Sequence, residues 1–236
     1  VDSAGVAPAV TDAMSSGIPI IAIDTGVSGA EVTSFVATDN YAVAKVQGAV
    51  AATLVNDGDT VIYVTGNQAQ STGQERRNGF MEAFSAARPG SKILEVPTEW
   101  NSQQAQEGVE AVLNSNSDVK MVVNAWDGGT MGAKAALENL GYGAGDVKLV
   151  GFDGASDAIA AMDEGWVHAD TAQMLYQMGY QGIKAAAAAA RGETVSSRID
   201  TGFFLVTPST SGVYKKMVGI NSVSYTHLRA HETIAN

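Results

Sequence analysis

The sequence contains no cysteine among its 236 residues. That absence excludes disulfides, thiolate metal sites and a thiol nucleophile. Positive charge is also scarce, because 14 Lys and Arg stand against 25 Asp and Glu and leave a formal net charge of −11. Nucleic-acid binding depends on Lys and Arg that contact phosphates, and the few in this chain form no run. We therefore expect no nucleic acid among the partners.

Long apolar runs and catalytic motifs are missing as well. No stretch approaches the ~20 apolar residues that a membrane-spanning helix needs, so we expect no stable membrane insertion. His168 is the only histidine before residue 222, and the chain has neither G-x-S-x-G nor a paired-histidine metal motif. We predict no catalytic residue, no metal and no cofactor, and therefore a protein that is not an enzyme. A nucleotide-dependent enzyme is the less favoured alternative, because the dinucleotide-binding fingerprint is absent.

The chain does contain a regular alternation of apolar runs and helical patterns. The runs are predicted strands, and they read IPIIAID, TVIYVT, KILEVP, VKMVVNA, VKLVGF, VHADTA and, last, IDTGFFLV. Strands that alternate with helices of about 10–15 residues predict βαβ units and parallel sheets. IPIIAID is almost continuously apolar, which is typical of a strand covered on both faces.

Many of these strands end on, or lead into, a residue suited to binding a small polar molecule. Open parallel sheets bind ligands in the crevice beyond the carboxyl ends of their strands. We therefore predict one ligand site, formed by Asp24, Arg76, Trp100, Trp126, Asp153 and Gln173. Carboxylates would accept hydrogen bonds from sugar hydroxyls, Arg and amides would donate them, and indoles would stack on C–H faces.

Each of these residues also has a structural interpretation, which the sequence leaves open. The two Asp residues could cap helices, Arg76 could form a surface ion pair and is easily confused with Arg77, and the indoles could pack over the core. Gln173 could form hydrogen bonds within a hinge. Asp127 is predicted to cap the helix that follows it. The glycines of AWDGGTMGA do not match a phosphate-binding loop and indicate close packing between a helix and a strand.

Several segments keep the order and approximate spacing of a known family between residue 4 and about residue 207. They read GIPIIAIDT, VATDN, QERRNGFMEAF, VVNAWDGGTMGA, LVGFDGASDAIAAMDEG and ADTAQMLYQMGYQGIKA. The chain resembles periplasmic sugar-binding proteins of the ribose-binding type, the substrate-binding part of ABC importers. FDG followed by TAQ about twenty residues later is the most specific pair among these segments.

The resemblance implies an α/β fold with two doubly wound, Rossmann-like parallel-sheet domains joined by a hinge of several crossings. Residues 1–38 and 174–206 would form an incomplete first lobe. Residues 40–172 would form a complete second lobe, to which 207–220 could return. A complete member of the family would begin with on the order of 70 further residues, so we expect an N-terminal truncation. Residues 222–236 break the preceding pattern, and we interpret them as a non-native tail.

The function implied by the resemblance is binding of a small neutral sugar or polyol between the lobes and its delivery to an ABC transporter permease. The protein would be a monomer in the periplasm or outside the cell, with or without a lipid anchor. Thr25 stands where the family often has Arg, which suggests either a ligand unlike ribose or another donor elsewhere. Trp126 stands where an amide is usual, which leaves the hydrogen-bond partners at that position open. Lactose-repressor-type regulators share the architecture, so the ligand-binding domain of such a regulator is the alternative.

Overall fold

A computed structural model describes residues 2–220. Helices and strands alternate along most of this range. The helices are α1 (Ala7–Ser15), α2 (Asn40–Thr53), α3 (Ser71–Ala87), α4 (Ser102–Ser115), α5 (Asp127–Asn139), α6 (Ser156–Asp163), α7 (Leu175–Ala190) and α8 (Ser211–Val218). None of the helices in this range is both long and apolar enough to cross a membrane.

The strands form two sheets. In the smaller sheet β1 (Ile21–Ile23), β2 (Ser34–Ala37) and β8 (Arg198–Asp200) are parallel and lie in the order β1-β2-β8. The larger sheet has the order β4-β3-β5-β6-β7-β9, built from β3 (Thr60–Val64), β4 (Lys92–Val96), β5 (Val119–Asn124), β6 (Lys148–Asp153), β7 (Val167–Gln173) and β9 (Phe203–Val206). All its pairs are parallel except β7 with β9. The predicted α/β class with parallel, Rossmann-like sheets is confirmed.

The main core lies around the larger sheet. Every residue of β3 is buried, and the ring of Tyr63 stacks on Phe80 of α3 at a centroid distance of 4.4 Å. On α2, the amide of Gln47 donates to the backbone oxygens of Asn124 and Gly151, both at 2.9 Å. A buried amide held in this way fixes the carboxyl ends of β5 and β6 relative to each other.

The chain passes between the two sheets at three places. Residues 38–39 connect β2 to α2, where Asp39 caps the helix by accepting from the Ala42 amide at 3.0 Å. Met174 connects β7 to α7, which packs against β1 and β2. Residues 201–202 connect β8 to β9. Elements of both sheets therefore converge where the crossings lie.

The prediction of a single strand over IDTGFFLV is wrong. The segment forms β8 in the smaller sheet and β9 in the larger one. Between them Gly202 has φ 74°, and its amide donates to Asp200 Oδ1 at 3.0 Å. This Asx-type turn redirects the chain, so residues 203–206 belong to the larger sheet and not to the smaller one.

The strand predicted over IPIIAID is shorter and more exposed than expected. Only Ile21–Ile23 are extended into a strand, and Ile18 and Ile23 are 55% and 41% exposed. Within residues 2–220, β1 pairs with β2 alone. None of its three residues is fully buried, so the cover expected on both faces is incomplete in this range. Helix α8 was not predicted; its Tyr214 is buried against Phe204 of β9. The segment 222–236 lies outside the described residues.

Candidate functional site

A cavity of about 260 Å³ lies at the carboxyl ends of the strands. All six residues predicted from the sequence line it, so the structure brings the whole predicted set together. Three further residues complete its lining. The full set is Asp24, Thr25, Gln70, Thr72, Arg76, Trp100, Trp126, Asp153 and Gln173.

Arg76, on the buried face of α3, is the most constrained side chain of the cavity. It is 3% exposed. Its Nε donates to Asn40 Oδ1 at 2.9 Å, and its Nη1 donates to the backbone oxygen of Ala125 at 2.7 Å and to Asp153 Oδ1 at 2.9 Å. The surface ion pair considered as an alternative is formed instead by Arg77, whose Nε lies 2.5 Å from Glu95 Oε2.

Asp153, the last residue of β6, presents its carboxylate to the cavity. Its Oδ1 accepts from Arg76 Nη1 and, at 2.7 Å, from Gln173 Nε2. The side chain is 27% exposed, which leaves it accessible to a ligand. Burial raises the pKa of Asp153, and Arg76 and Gln173 oppose that shift. The carboxylate is therefore partly desolvated, and donors on two sides hold it in place.

Asp24 lines the cavity from the smaller sheet, directly after β1. Its Oδ2 accepts from Thr25 Oγ1 at 2.9 Å, and that hydroxyl lies 3.0 Å from Thr72 Oγ1. The threonine at position 25 therefore orients the Asp24 carboxylate, a role different from the donor fork that an arginine would supply.

The strained backbone positions of the described residues coincide with the cavity. Asp24, Trp100 and Asp153 have φ values of 71°, 58° and 118°, and they are the only non-glycine residues in that range with positive φ. Such conformations cost of order 1–3 kcal/mol each and cluster at functional sites, where surrounding contacts maintain them. All three line the same cavity, which supports a common function.

Two indoles form the apolar wall. Trp100 and Trp126 meet edge to face, with ring centroids 5.3 Å apart and planes at 89°. Trp100 lies four residues beyond β4 and not at its end as predicted, and its Nε1 donates to Gln70 Oε1 at 2.6 Å. Gly66 lies beneath it, since a Cβ there would come within 2.0 Å of Trp100 Cη2.

The two glycines after Trp126 also make room for an indole, as Gly66 does for Trp100. A Cβ at Gly128 would lie 2.6 Å from Trp126 Nε1, and one at Gly129 would lie 2.8 Å from Cζ3. The GG pair therefore makes room for the indole at the start of α5. The glycines of AWDGGTMGA were predicted to pack against a strand, but Gly128 and Gly129 contact this indole and Gly132 contacts α4, where a Cβ would lie 2.3 Å from the Ser102 backbone oxygen.

Sequence reasoning missed Gln70 and Thr72 as lining residues. Thr72 precedes Arg76 by four residues on α3, so helical periodicity could have placed both on one face. Gln70 lies in the polar loop before that helix and carried no comparable signal. Trp166 does not line the cavity and packs near Lys134, whose Nζ lies 5.1 Å from the ring centroid.

The role predicted for Asp127 is wrong. It occupies the first turn of α5 without capping that helix, and its Oδ2 instead accepts from the amide of Ala155 at 2.7 Å. The side chain is 2% exposed. Local sequence suggested a cap because Asp is common at helix N-termini, but the partner lies 28 residues away.

The cavity combines two carboxylate acceptors, a guanidinium, an amide and two aromatic faces. This set suits recognition of a ligand that has both hydroxyl groups and an apolar face. Within residues 2–220, no group of three or more acidic or histidine side chains is placed to hold a metal ion. The arrangement therefore suits the binding of a small polar organic molecule.

Comparison with known proteins is consistent with this geometry. Residues 1–194 match the model of the periplasmic binding protein domain family. The chain is 31% identical over 205 residues to the ribose import binding protein RbsB of Escherichia coli K12, covering 87% of this chain and 68% of that protein.

Solved structures of solute-binding proteins share the fold. One from Bacillus halodurans with bound myo-inositol has a TM-score of 0.84 and 26% identity, covering 91% of this chain and 75% of that one. One from Mycobacterium smegmatis with bound glycerol has a TM-score of 0.80 and 32% identity, covering 89% and 72%. The chain therefore belongs to the periplasmic binding protein family, in its ribose-binding type.

Proposed function

We propose that the protein binds one small neutral sugar or polyol in the cavity and delivers it to an ABC transporter permease. The observation that carries the proposal is the convergence of Asp24, Arg76, Trp100, Trp126, Asp153 and Gln173 on one cavity. The relatives support the ligand class, because one is named for ribose import and two solved structures contain myo-inositol or glycerol.

The charges around the cavity favour an uncharged ligand. Arg76 is the only cationic lining residue, and it is already paired with Asp153. The carboxylate of Asp24 would repel a sugar acid or a sugar phosphate. Sites for drug-sized ligands measure about 300–1,000 Å³, so a cavity of about 260 Å³ suits a single monosaccharide ring or a smaller polyol.

Each of the six predicted residues has a role in this proposal. Asp24 and Asp153 accept hydrogen bonds from ligand hydroxyls, while Gln173 and Arg76 position Asp153 and donate to ligand oxygens. The two indoles contact the C–H face of the ligand. Thr25 and Trp126 differ from the residues that are usual in the family. We therefore expect a sugar or polyol other than ribose.

Closure around the ligand would follow from the crossings between the sheets. A few residues at such crossings can absorb the φ/ψ change of a hinge. A ligand that contacts side chains from both sheets binds the closed arrangement more tightly and shifts the population toward it. We propose that this closed, monomeric form in the periplasm is the one that the permease recognises.

Calorimetry of the protein encoded by the complete gene, against pentoses, hexoses and polyols, tests the proposal. We expect one ligand per chain, binding without turnover, and at least tenfold weaker binding in Asp153→Ala. Asp157→Ala, an exposed aspartate at the start of α6, is the matched control and should bind like the wild type. If no sugar or polyol binds the wild type, the ligand class is wrong. If Asp153→Ala keeps full affinity, the site is wrong.

A further inference from the structure

Two buried carboxyl groups lie close together over Gly151 of β6, the strand that ends in Asp153. Asp127 on α5 is 2% exposed and Asp170 on β7 is 0% exposed. A Cβ added at Gly151 of β6 would lie 2.6 Å from Asp127 Oδ1 and 2.4 Å from Asp170 Oδ2. The two side chains therefore occupy the same small space over Gly151, and none of the roles assigned to the cavity residues uses them.

Their hydrogen bonding is incomplete unless one of them holds a proton. Asp127 accepts from the Ala155 amide at 2.7 Å and from Thr130 Oγ1 at 3.4 Å. Both oxygens of Asp170 are buried, and neither accepts a hydrogen bond of ordinary geometry among residues 2–220. An ionised carboxylate can only accept hydrogen bonds, whereas a protonated one can also donate. A proton held between Asp127 and Asp170 would give Asp170 a hydrogen-bond partner.

The same pair lies against the turn that presents Asp153. Asp153 and Gly154 have φ values of 118° and 78°. The next residue, Ala155, is held by Asp127, and the backbone oxygen of Gly154 accepts from Tyr214 Oη at 2.9 Å. Three residues beyond Asp170 on β7, Gln173 donates to Asp153. Asp127 therefore holds the turn that follows Asp153, and Asp170 lies on β7, the strand that ends in Gln173.

We propose that Asp127 and Asp170 are positioning residues that share one proton, and that this proton maintains the turn that aims Asp153 into the cavity. Loss of the proton would place two like charges side by side in the core and disturb both the turn and the strand. The consequence for ligand affinity rests on the function proposed above, whereas the consequence for stability does not.

The electrostatic surroundings of the pair support the retention of a proton. Burial raises the pKa of Asp170 to about 7; Asp127 and the Gly154 amide lower it, and Asp153 raises it. Burial also raises the pKa of Asp127 well above its usual value, and Asp170 and Asp153 add to the shift. Among the other facing groups, Arg76 on α3 lowers the pKa of Asp170. On α8, the pKa of Tyr214 is raised to about 12 by its burial and the three carboxyl groups, so it stays neutral.

The stability of the fold depends on pH because the folded and unfolded states bind different numbers of protons. A carboxyl group titrates near pH 3.9 in the unfolded chain, so between pH ~4 and ~7 the folded state binds the extra proton. Stability therefore falls as pH rises through this window, and the extra proton on Asp170 is lost above it. A pKa of about 7 for Asp170 implies a loss on the order of 30-fold in the folding equilibrium constant between pH ~5.5 and ~8.5.

Urea unfolding of the ligand-free protein from pH 5.5 to 8.5 tests the pair. Asp170→Asn keeps the shape of the side chain and supplies a permanent donor to Asp127. We therefore expect its stability to fall much less than that of the wild type as pH rises. Its stability relative to wild type should rise with pH, by on the order of 30-fold in the equilibrium constant across the range. The exposed Asp157→Asn should follow the wild-type profile. Parallel profiles for wild type and Asp170→Asn would overturn the proposal.

Carbon NMR of the carboxyl groups and the pH dependence of ligand affinity provide two further tests. If Asp170→Asn does not fold, carbon NMR of wild-type carboxyl groups should show at least one protonated Asp near pH 6, and the absence of any would overturn the proposal. With a sugar found by calorimetry, wild-type affinity should weaken from pH 5.5 to 8.5 more than that of Asp170→Asn. If no sugar binds at any pH, the proposed function fails while the stability result still stands.

Discussion

Arg76 Nη1 donates at once to Asp153 Oδ1 and to the backbone oxygen of Ala125, at 2.9 and 2.7 Å. One nitrogen therefore joins α3 to the carboxyl ends of β5 and β6. The guanidinium carbon also lies 3.8 Å from the ring centroid of Phe152, within the range of a cation–π contact. The arginine is both a wall of the cavity and a structural link between its elements.

Arg76→Lys should be strongly destabilising. An ammonium cannot reproduce the planar fork that reaches Asn40, Ala125 and Asp153 together. Removing one partner from a buried ion pair costs about 3–5 kcal/mol, and we expect a loss at the lower end because the new residue keeps its charge. Urea unfolding measures the effect, and ligand affinity should fall with it.

The neighbouring arginine is the matched control for this substitution. Arg77 forms an exposed pair with Glu95, both side chains being 35% exposed. Exposed pairs contribute about 0–1 kcal/mol, so Arg77→Lys should be close to wild type in stability and affinity. Equal losses in the two variants would contradict the assignment of Arg76, and not Arg77, to the site.

Asp24→Asn should weaken the binding of sugar with little change in stability. Asparagine tolerates the left-handed backbone conformation that Asp24 adopts at φ 71°, so the fold is retained. The amide removes a charge-assisted hydrogen bond to the ligand, worth about 1.5–3 kcal/mol, which predicts an affinity loss of roughly 10–100-fold. Calorimetry checks this, and affinity within twofold of wild type would exclude Asp24 as a ligand contact.

Gly66→Ala should displace Trp100 from the cavity wall. The new Cβ would overlap the indole, because the nearest atom is 2.0 Å away. Overpacking of this kind costs about 1–3 kcal/mol, and the tryptophan emission should change. The control is Gly179→Ala in α7, where a Cβ meets nothing within 4 Å, and where the better helix propensity should stabilise by about 0.5–1 kcal/mol. Unchanged stability and emission in Gly66→Ala would contradict the packing described.

Tryptophan fluorescence should report ligand binding through the two indoles of the cavity. Trp100 and Trp126 line it, whereas Trp166 does not. We expect the emission change on addition of sugar to persist in Trp166→Phe and to be strongly reduced in Trp126→Phe. A change that disappears only in Trp166→Phe would show that the signal comes from elsewhere in the fold.

The positions of the site residues were largely readable from local sequence. Asp24, Asp153 and Gln173 follow or end apolar strands, and a parallel sheet brings the carboxyl ends of its strands to one edge. Arg76 was identified through the RRNGF segment and its resemblance to the family, and the structure separates it from Arg77 by burial. The hydrogen bonds among these side chains were not readable, because they depend on contacts between distant elements.

The sequence by itself determined the α/β alternation, the family and the edge of the sheets at which polar and aromatic residues gather, since each follows from local periodicity and segment order. The tertiary structure alone decided that IDTGFFLV divides between two sheets and that Asp127 faces Asp170 and Ala155. It also decided that three cavity residues hold strained backbone conformations. These features depend on pairings between residues far apart in the chain, and whether a buried group is satisfied is set by what the fold places beside it.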